Sequence, residues 1–476
     1  MIYYNKDLGD YYHYDSDRLY HDLRACKREQ YEPDDCVLVR SYTQTGVGLW
    51  KLFFRVVKFL DIPTFFLRIQ TDNPDLGDTV LPLFQEQFPE EDLKIDIVTP
   101  GRRYSTSDTL CVHPFNSVYI TGKGKYKICC KWQGTLADKD ITNTSLHEAQ
   151  HSTEFRDTRY KMISHKQPST CDSCWKTEQY SKVSMRTSTD QIFPELTYGT
   201  DYNAVTHNIR TLDLHLGNVC NLKCRICGPE SSSSWVKELN TDSVFQPSWI
   251  SDQDSNLWQH LRNNLDSLQY ITFHGGEPFL DRKHYAIIDH LIAQGRTDVV
   301  LHYNTNGTVY PSVLLDKLAQ FDSVTLSFSI DNTGAKFEYE RHGRSWHTVH
   351  NNLLKFAQLD RARFKLEFHT TVSIFNILDL QDLVDLCVQL GFSPHFNLLT
   401  SPDYYSVLNI PKARREDVVA RCWWSTNEQV RSFGDLLERE PELDLLEQFW
   451  SATQGRDTVR NEDFKVTYPE MSAIIL

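Results

Sequence analysis

Between residues 211 and 400 the chain alternates short apolar strands with helix-length segments, and this alternation constrains the fold more than any other feature. The predicted strands are Leu212–Leu216, Tyr270–Phe273, Val299–Tyr303, Val324–Ile330, Phe364–Val372 and Phe396–Leu399. The helices predicted between them are Trp258–Leu265, His284–Gln294, Ser312–Gln320, His347–Leu359 and Leu378–Leu390. Such alternation predicts an α/β fold whose parallel sheet has right-handed crossovers, either as an open doubly wound sheet or as a barrel-like curl. Both arrangements place an active site at the carboxyl ends of the strands.

The placement of the cysteines is the second constraint. The sequence has 12 cysteines, and those that cluster are Cys111, Cys129, Cys130, Cys171, Cys174, Cys220, Cys224 and Cys227. No run approaches the ~20 apolar residues that cross a bilayer, and the N-terminus lacks the pattern of a signal peptide. We therefore expect a cytoplasmic protein with no membrane partner, in which clustered cysteines indicate metal rather than disulfides.

The loop after the first of these strands carries Cys220, Cys224 and Cys227 at spacings of four and three residues. Structural zinc takes four ligands in a closed tetrahedron, so three thiolates do not complete such a site. Three thiolates suit a 4Fe–4S cluster that leaves one iron open to an outside ligand. The alternatives are a zinc site completed by a distant His or Cys, and buried cysteines without metal.

This strand and loop resemble the CxxxCxxC signature of the radical S-adenosylmethionine (SAM) superfamily. The resemblance implies a partial (β/α)6 TIM-like barrel, a 4Fe–4S cluster held by the three cysteines, and SAM bound to the fourth iron. In the family the residue before the last cysteine is usually aromatic, and here it is Ile226. An aliphatic side chain can still pack against an adenine.

The ends of the next strands carry further motifs of this family. The second strand ends in Gly275-Gly276-Glu277-Pro278, similar to the GGEP motif that grips the methionyl amino group of SAM. The third runs into Thr305-Asn306-Gly307, similar to the TNG ending common in the family. Ser329 and Asp331 lie on one side of the fourth strand, because side chains alternate with a period of two. The resemblance gives them hydrogen bonds to the ribose of SAM, whereas the alternative for Asp331 is a cap on the following turn.

The segment after the fourth strand, Glu338-Tyr-Glu-Arg341-His-Gly343, is similar to the Tyr…Arg-Gly run of the family. By this resemblance Arg341 pairs with the carboxylate of SAM, a natural task for a guanidinium group. The alternative is a surface ion pair with Glu338 or Glu340. On the fifth strand the resemblance assigns adenine-side and carboxylate-side contacts to Val372 and Asn376.

The second group of cysteines lies upstream and comprises Cys111, Cys129, Cys171 and Cys174, with Cys130 as a substitute for Cys129. Four thiolates can close a zinc site or ligate every iron of a 4Fe–4S cluster, and their spacing alone favours zinc. The stretch from Cys111 to Cys130 also resembles the auxiliary-cluster module called SPASM, or its shorter twitch form, which implies an auxiliary 4Fe–4S cluster. Here the module precedes the barrel, and four cysteines in place of seven limit it to one cluster.

Changes in composition divide the chain into four predicted regions. Residues 1–104 form a small α/β domain, with strands Cys36–Ser41, Thr64–Ile69 and Leu93–Val98 and helices Leu49–Leu60 and Thr79–Phe88. Residues 105–202 form the Cys-rich module, with a hairpin at Ser117–Ile120 and Tyr126–Cys130 and a polar helix at Ser145–Met162. Residues 203–400 form the barrel, and residues 401–476 form a mainly helical extension in which we recognise no site.

These motifs predict a radical SAM enzyme that cleaves SAM reductively to a 5′-deoxyadenosyl radical and abstracts hydrogen from a substrate. Relatives with auxiliary clusters commonly modify peptides or protein side chains, so the resemblance implies such a substrate. The alternatives are a small metabolite (a sugar or nucleotide derivative) and a non-catalytic, zinc-stabilised interaction protein. An electron donor such as flavodoxin or ferredoxin is expected. The formal net charge of −14 argues against a nucleic-acid partner, which needs a basic surface.

Overall fold

The computed structural model of the protein describes residues 2–5, 10–13, 37–41, 66–71, 82, 85–86, 94–98, 109–181, 184–192, 208–241 and 247–476. The chain divides into two compact units, Met1–Leu110 and Cys111–Leu476. The finer division at residues 104, 202 and 400 stays a prediction.

The first unit contains a five-stranded sheet. Its strands are β1 (Ile2–Asn5), β2 (Asp10–His13), β3 (Val37–Ser41), β4 (Phe66–Thr71) and β5 (Lys94–Val98), in the order β2-β1-β3-β4-β5. Strands β3, β4 and β5 are parallel, so the three strands predicted here are confirmed. The helix predicted at 49–60 lies outside the described residues, and of the one predicted at 79–88 only residues 82, 85 and 86 are described, all helical.

The second unit is built on an eight-stranded sheet. Its strands are β6 (Ser117–Ile120), β7 (Tyr126–Lys127), β8 (Thr211–His215), β10 (Tyr270–His274), β11 (Val300–Thr305), β12 (Val324–Phe328), β14 (Phe364–Val372) and β15 (Ser393–Leu398). The order is β15-β14-β12-β11-β10-β8-β6-β7, and the six strands from β8 to β15 are parallel to their neighbours. The predicted α/β fold with a parallel sheet is therefore confirmed. The order of strands is linear, as in a partial barrel that does not close.

Two short strands, β9 (Lys223–Cys224) and β13 (Arg341–His342), form a separate antiparallel pair. The helices are α1 (His113–Asn116), α2 (Leu146–Gln150), α3 (Thr153–Ile163), α4 (Asp172–Ser181), α5 (Met185–Ile192), α6 (Ser233–Leu239), α7 (Asn256–Asn263), α8 (Tyr285–Ala293), α9 (Ser312–Leu318), α10 (Gly334–Glu340), α11 (Trp346–Phe356), α12 (Leu380–Leu390), α13 (Glu416–Trp423), α14 (Glu428–Arg439), α15 (Leu446–Arg460), α16 (Phe464–Thr467) and α17 (Pro469–Ile475). Single 3-10 turns lie at Ser169–Cys171, Ser248–Ile250, Leu265–Ser267, Pro278–Leu280, Asp403–Tyr405, Val407–Asn409 and Lys412–Arg414.

The Cys-rich module joins the parallel sheet directly. Strand β6 pairs in parallel with β8 and antiparallel with β7, so the predicted hairpin is present and widens the sheet. The hairpin is shorter than predicted, because β7 ends at Lys127 before the two cysteines. The polar helix predicted at 145–162 is two helices, since Ser145 caps α2 and Ser152 caps a new start at α3.

The main core lies between one face of the parallel sheet and helices α8, α9 and α11. It includes Leu214 and Phe273 from the sheet and Ile288 and Leu353 from the helices, all fully buried. A second core, with Phe375, Phe449 and Phe464 at its centre, joins the end of β14 to the C-terminal helices. The helices that contribute to it lie between Glu416 and Ile475. Among the described residues, no helix is long and apolar enough to cross a membrane.

Candidate functional site

The three-cysteine loop leaves the carboxyl end of β8 and ends at α6. Its middle is held by β9, where Cys224 pairs with Arg341 of β13. The segment after β10 supports its start, because the backbone N–H groups of Gly276 and Glu277 donate to Gly217 and Val219, each at 2.7 Å. A side chain at position 276 would collide with the carbonyl of Val219. The glycines of the GGEP motif therefore let the segment after β10 lie directly against the three-cysteine loop.

The three thiols converge at this edge of the sheet. Cys224 is buried, Cys220 is half-buried and Cys227 is exposed. A hydrogen bond from the Cys227 thiol lowers the pKa of Cys224, and burial opposes this effect while Arg341 supports it. The Asn306 amide lies 3.7 Å from the sulfur of Cys220, and the Arg341 guanidinium lies 3.8 Å from the sulfur of Cys224. N–H donors directed at sulfur suit thiolates that ligate a metal cluster, so this donor set fits the group that the motif implies.

Glu277 is 2% exposed at the end of β10. Its carboxylate accepts hydrogen bonds from the Thr305 hydroxyl and the Asn306 N–H, both at 2.7 Å, and from the Phe279 N–H at 3.1 Å. Burial raises its pKa to about 7, although these donors favour the charged form. Pro278 begins the short turn that Glu277 caps, which fixes the carboxylate against the end of β11.

Asp331 and Arg341 form a buried ion pair with 2.5 Å between their atoms. Asp331 also accepts a hydrogen bond from the Thr371 N–H at 2.8 Å, so it joins the ends of β12 and β14. Burial alone would lower the pKa of Arg341, but Asp331 and the cluster cysteines raise it, and the group stays charged. Arg341 therefore pairs with Asp331 and not with Glu338 or Glu340, the alternative considered above. The alternative for Asp331 was a turn cap, and here its carboxylate binds Arg341 and Thr371.

The remaining residues predicted to contact SAM lie at the same sheet edge. Ser329 follows β12 and donates its N–H to Thr305 at 2.8 Å. Val372 ends β14 and is fully buried. Asn376 is also fully buried, and its side-chain amide accepts from the Ser373 N–H and donates to the Thr371 carbonyl. The structure thus brings the predicted residues together, and it gives many of their polar groups partners within the chain.

The upstream cysteines meet at one pocket. Cys111, Cys129, Cys171 and Cys174 line it, although Cys171 and Cys174 follow Cys129 by some forty residues. Cys130 is not among the lining residues and lies 3.9 Å from the sulfur of Met185, so the pocket favours Cys129 as the fourth ligand. Burial raises the pKa of Cys111 and Cys129 well above the usual range of a thiol. A bound metal stabilises the thiolate form of its ligands and so overcomes the effect of burial on these pKa values. The four residues therefore fit a metal cluster.

One further residue of this pocket, His113, is a potential metal ligand by type. Its Nδ1 lies 3.0 Å from the Ser117 hydroxyl and its Nε2 lies 2.9 Å from the Thr189 hydroxyl. Burial lowers its pKa to about 4, so the ring is neutral. Because both nitrogens already have partners, the four thiols are the ligands that the pocket offers.

Histidines and carboxylates line the sheet face opposite the main core, here called the inner face. Its polar members include Asp213, His215, His274, His302, Asn304, Ser327, Lys365, Glu367, His369 and His395. None of these residues was predicted as part of a site. The signal was available, since these residues alternate with buried apolar ones along consecutive strands and neighbours in register share a face.

Two carboxylate–imidazole groups form on the inner face. Asp213 lies 2.7 Å from His274 Nε2. Glu367 accepts a hydrogen bond from Ser327 and lies 3.1 Å from His395 Nε2, and the Ser327 hydroxyl lies 2.7 Å from His302. Burial disfavours the charged form of Glu367, but His395 and His302 outweigh it and hold its pKa at about 2.

The other imidazoles of this face are neutral. Burial lowers the pKa of His215 and of His369 to about 4. The hairpin of the Cys-rich module borders this surface. Tyr119 of the hairpin packs 5.2 Å from the His274 ring, and burial together with the Asp213 carboxylate raises the pKa of Cys130 to about 12.

Comparison with known proteins places two families on these regions. Residues 214–387 match the radical SAM superfamily, and residues 111–175 match SPASM, an iron-sulfur cluster-binding domain. A GTP 3',8-cyclase from Syntrophomonas wolfei subsp. wolfei is 26% identical over 180 residues, which are 38% of this chain and 52% of that protein. The chain thus spans about half the length of this curated relative.

Two solved structures are also similar. Native anSMEcpe with bound AdoMet and Cp18Cys peptide is 15% identical, with a TM-score of 0.33 over 44% of this chain and 56% of that one. Streptococcus suis SuiB is 14% identical, with a TM-score of 0.33 over 76% of this chain and 74% of that one.

Proposed function

We propose that the chain is a radical SAM enzyme with a SPASM-type iron–sulfur module, and that it modifies a peptide or protein side chain held against its inner face. When bound, SAM and its 4Fe–4S cluster supply a 5′-deoxyadenosyl radical that abstracts hydrogen, and the auxiliary cluster supplies a route for an electron. The observation that carries the proposal is the polar inner face, whose carboxylate–imidazole groups lie on the strands that carry the motifs at their carboxyl ends.

We assign the cofactor roles to the two groups of residues described above. Cys220, Cys224 and Cys227 would ligate the SAM cluster, and Cys111, Cys129, Cys171 and Cys174 the auxiliary cluster. The residues that would position SAM are Gly275, Gly276, Glu277, Pro278, Asn306, Ser329, Asp331, Arg341, Val372 and Asn376. Glu277 and Asp331 supply negative charge to an ammonium group or a ribose, and Arg341 supplies positive charge to a carboxylate.

The charge of the inner face supports a peptide over a phosphorylated substrate. From β8 to β15, the strand residues on this face include two carboxylates, and only Lys365 among them carries a permanent positive charge. Lys365 is exposed near the amino end of β14, away from the motifs. Bound phosphates are normally met by Arg and Lys, whereas amides, hydroxyls and amines pair well with neutral imidazoles and carboxylates. The surface therefore favours a side chain without a phosphate.

A second candidate substrate is a nucleotide derivative. The similarity to a GTP 3',8-cyclase favours it, and the loops around the sheet carry basic residues such as Lys131. The pattern of charge on the strands argues against a triphosphate bound along the inner face.

The test is an anaerobic assay of the reconstituted full chain with SAM and a chemical reductant. Peptide pools of varied sequence are compared with nucleoside triphosphates, and the formation of 5′-deoxyadenosine and the mass of each candidate substrate are measured. We expect one or more peptides to stimulate 5′-deoxyadenosine formation and to change in mass. Stimulation by a nucleoside triphosphate, with peptides inert, would establish the second candidate instead.

Variants of the inner face sharpen this assay. Asp213→Asn removes one carboxylate at the His274 pair, and we expect weaker stimulation by the substrate with unchanged slow cleavage of SAM alone. Lys365→Gln is the matched control, because Lys365 belongs to the same face but lies at its exposed amino end. Equal stimulation in all three proteins would show that the substrate does not use the inner face.

A further inference from the structure

The C-terminal extension, in which sequence analysis recognises no site, contacts the cluster loop. Lys223 and Arg225 flank Cys224. Lys223 pairs with a carboxylate of helix α6, and Arg225 pairs with two carboxylates of the extension. The two partners of Arg225 lie 232 and 237 residues away along the chain.

Arg225 is the more deeply held of the two. Its side chain is 0% exposed, and its Nη2 lies 2.5 Å from Asp457 of α15 and 2.5 Å from Glu462, which follows that helix. The guanidinium carbon stacks 3.5 Å from the centroid of the Tyr339 ring, and the Tyr339 hydroxyl donates to Asp457 at 2.8 Å. A buried guanidinium with two carboxylates and an aromatic face has a single favoured position.

Lys223 enters a second group of charges. Its ammonium lies 2.5 Å from Glu238 of α6, and Arg460 of α15 binds the same carboxylate at 3.1 Å. Glu238 and Arg460 are 5% and 1% exposed at their side chains. Helix α15 is therefore tied to the loop on both sides of Cys224.

Packing contacts also hold helix α15 against the loop. Trp235 donates its indole N–H to the Cys224 carbonyl at 2.9 Å, and its ring lies under the guanidinium groups of Arg456 and Arg460, at 4.2 and 4.7 Å. Ile226 packs against the second core, which the C-terminal helices form. Glu462 also meets His342, the residue that pairs with Lys223 across the β9–β13 ladder, at 2.6 Å.

We propose that residues 446–463 belong to the cofactor site as a positioning element, in which Asp457 and Glu462 hold Arg225 and so fix Cys224 relative to Cys220 and Cys227. The proposal goes beyond the choice of substrate and does not depend on it. Neither carboxylate contacts a cysteine, so both act through Arg225. Breaking a buried ion pair on one side leaves an uncompensated charge, which is strongly unfavourable, and the loop must move to hydrate it.

The test uses the full chain with the double substitution Asp457→Asn and Glu462→Gln. The spectra are recorded in a Cys171→Ala background, so that the electron paramagnetic resonance signal of the reduced protein comes from the SAM cluster alone. We expect an altered signal and an altered response to SAM, and a rise of at least about tenfold in the KM for SAM. The Glu462→Asp variant keeps the charge and should restore most of the wild-type behaviour.

Glu470→Gln is the matched control, because Glu470 pairs with Arg421 in the same extension and both side chains are about half exposed. The single variant Glu462→Gln, which retains Asp457, decides the question if the double variant fails to fold. A variant that folds, with a lower melting temperature but with the wild-type signal and KM for SAM, would reduce the contact to a structural one and overturn the proposal.

Discussion

The two cysteine sites of this chain are built in different ways. The upstream site gathers four thiols around one pocket with Ile128, Trp132 and Met162 among its walls. The loop site has three thiols, one of them exposed, and polar groups from distant strands surround it. Four thiols can fill every ligand position of a metal site, and a largely apolar wall suits such a closed site. Three thiols among charged groups leave one position for an outside ligand.

This difference suggests that only the loop site binds an outside ligand. The polar groups around the loop also contact one another, since Asp331 pairs with Arg341 and Glu277 binds the end of β11. They can exchange these partners for the ammonium and carboxylate groups of a bound cofactor at little cost, because each contact is replaced by another of the same kind. The upstream pocket instead presents four thiols, and this suits a cluster that takes no outside ligand.

The largest effect is expected at the loop. Cys224→Ala removes the most buried of its three thiols, so the SAM cluster should be lost and SAM cleavage should fall at least a thousandfold, or about 4 kcal/mol of transition-state stabilisation. The measurement is 5′-deoxyadenosine formed anaerobically after reconstitution. Cys387→Ala is the control, because Cys387 is buried in α12 and belongs to neither site. Retained cleavage in Cys224→Ala would contradict the assignment of the loop.

A smaller and more selective effect is expected at the upstream site. Cys171→Ala should lower the iron content from about eight to about four per chain, since each 4Fe–4S cluster holds four. SAM binding and cleavage should persist, while product formation from the true substrate should stop. Cys130→Ala should keep about eight irons, because Cys130 does not line the pocket. Normal product from Cys171→Ala would leave the auxiliary cluster only a structural role.

The polar surroundings of the loop provide the third test. Arg341→Lys keeps the charge but loses the guanidinium fork that meets Asp331 and points at Cys224, and we expect the KM for SAM to rise about tenfold, or about 1.4 kcal/mol. The measurement is a SAM titration of cleavage rate. The neighbouring Arg344 is exposed, so Arg344→Lys should leave the KM unchanged. Equal KM values in both variants would remove Arg341 from the SAM site.

Much of the loop site could be predicted from sequence, because its residues lie at the ends of strands. Parallel strands put their carboxyl ends at one edge, so motifs such as Gly275-Gly276-Glu277 and Asp331 had to meet there. The inner face could equally have been predicted from sequence, since His302, Glu367 and His395 follow the period of two along their strands. Those segments were predicted as strands, and the residues on their second face follow from the same alternation.

Other features were out of reach of sequence patterns. The ion pairs of Arg225 with Asp457 and Glu462 join segments more than two hundred residues apart, and charged residues in a helix are usually solvated. The parallel pairing of β6 with β8 also depends on tertiary contacts, because a hairpin carries no signal for the strand it joins.

The smallest effect concerns the inner face. The hydrogen bond to Glu367 raises the pKa of His395, so the protonated ring stabilises the folded chain. This contribution is complete below the pKa of the unfolded state, about 6.5, and is lost as the pH rises through the higher folded value. Because His395 is partly exposed, solvent screening limits the effect to at most about 1 kcal/mol. The measurement is urea unfolding of wild-type and His395→Gln protein at pH 5.5 and 8.5. The difference in the free energy of unfolding should shrink at the higher pH, and a difference that grew would mean that the pair of Glu367 and His395 does not form.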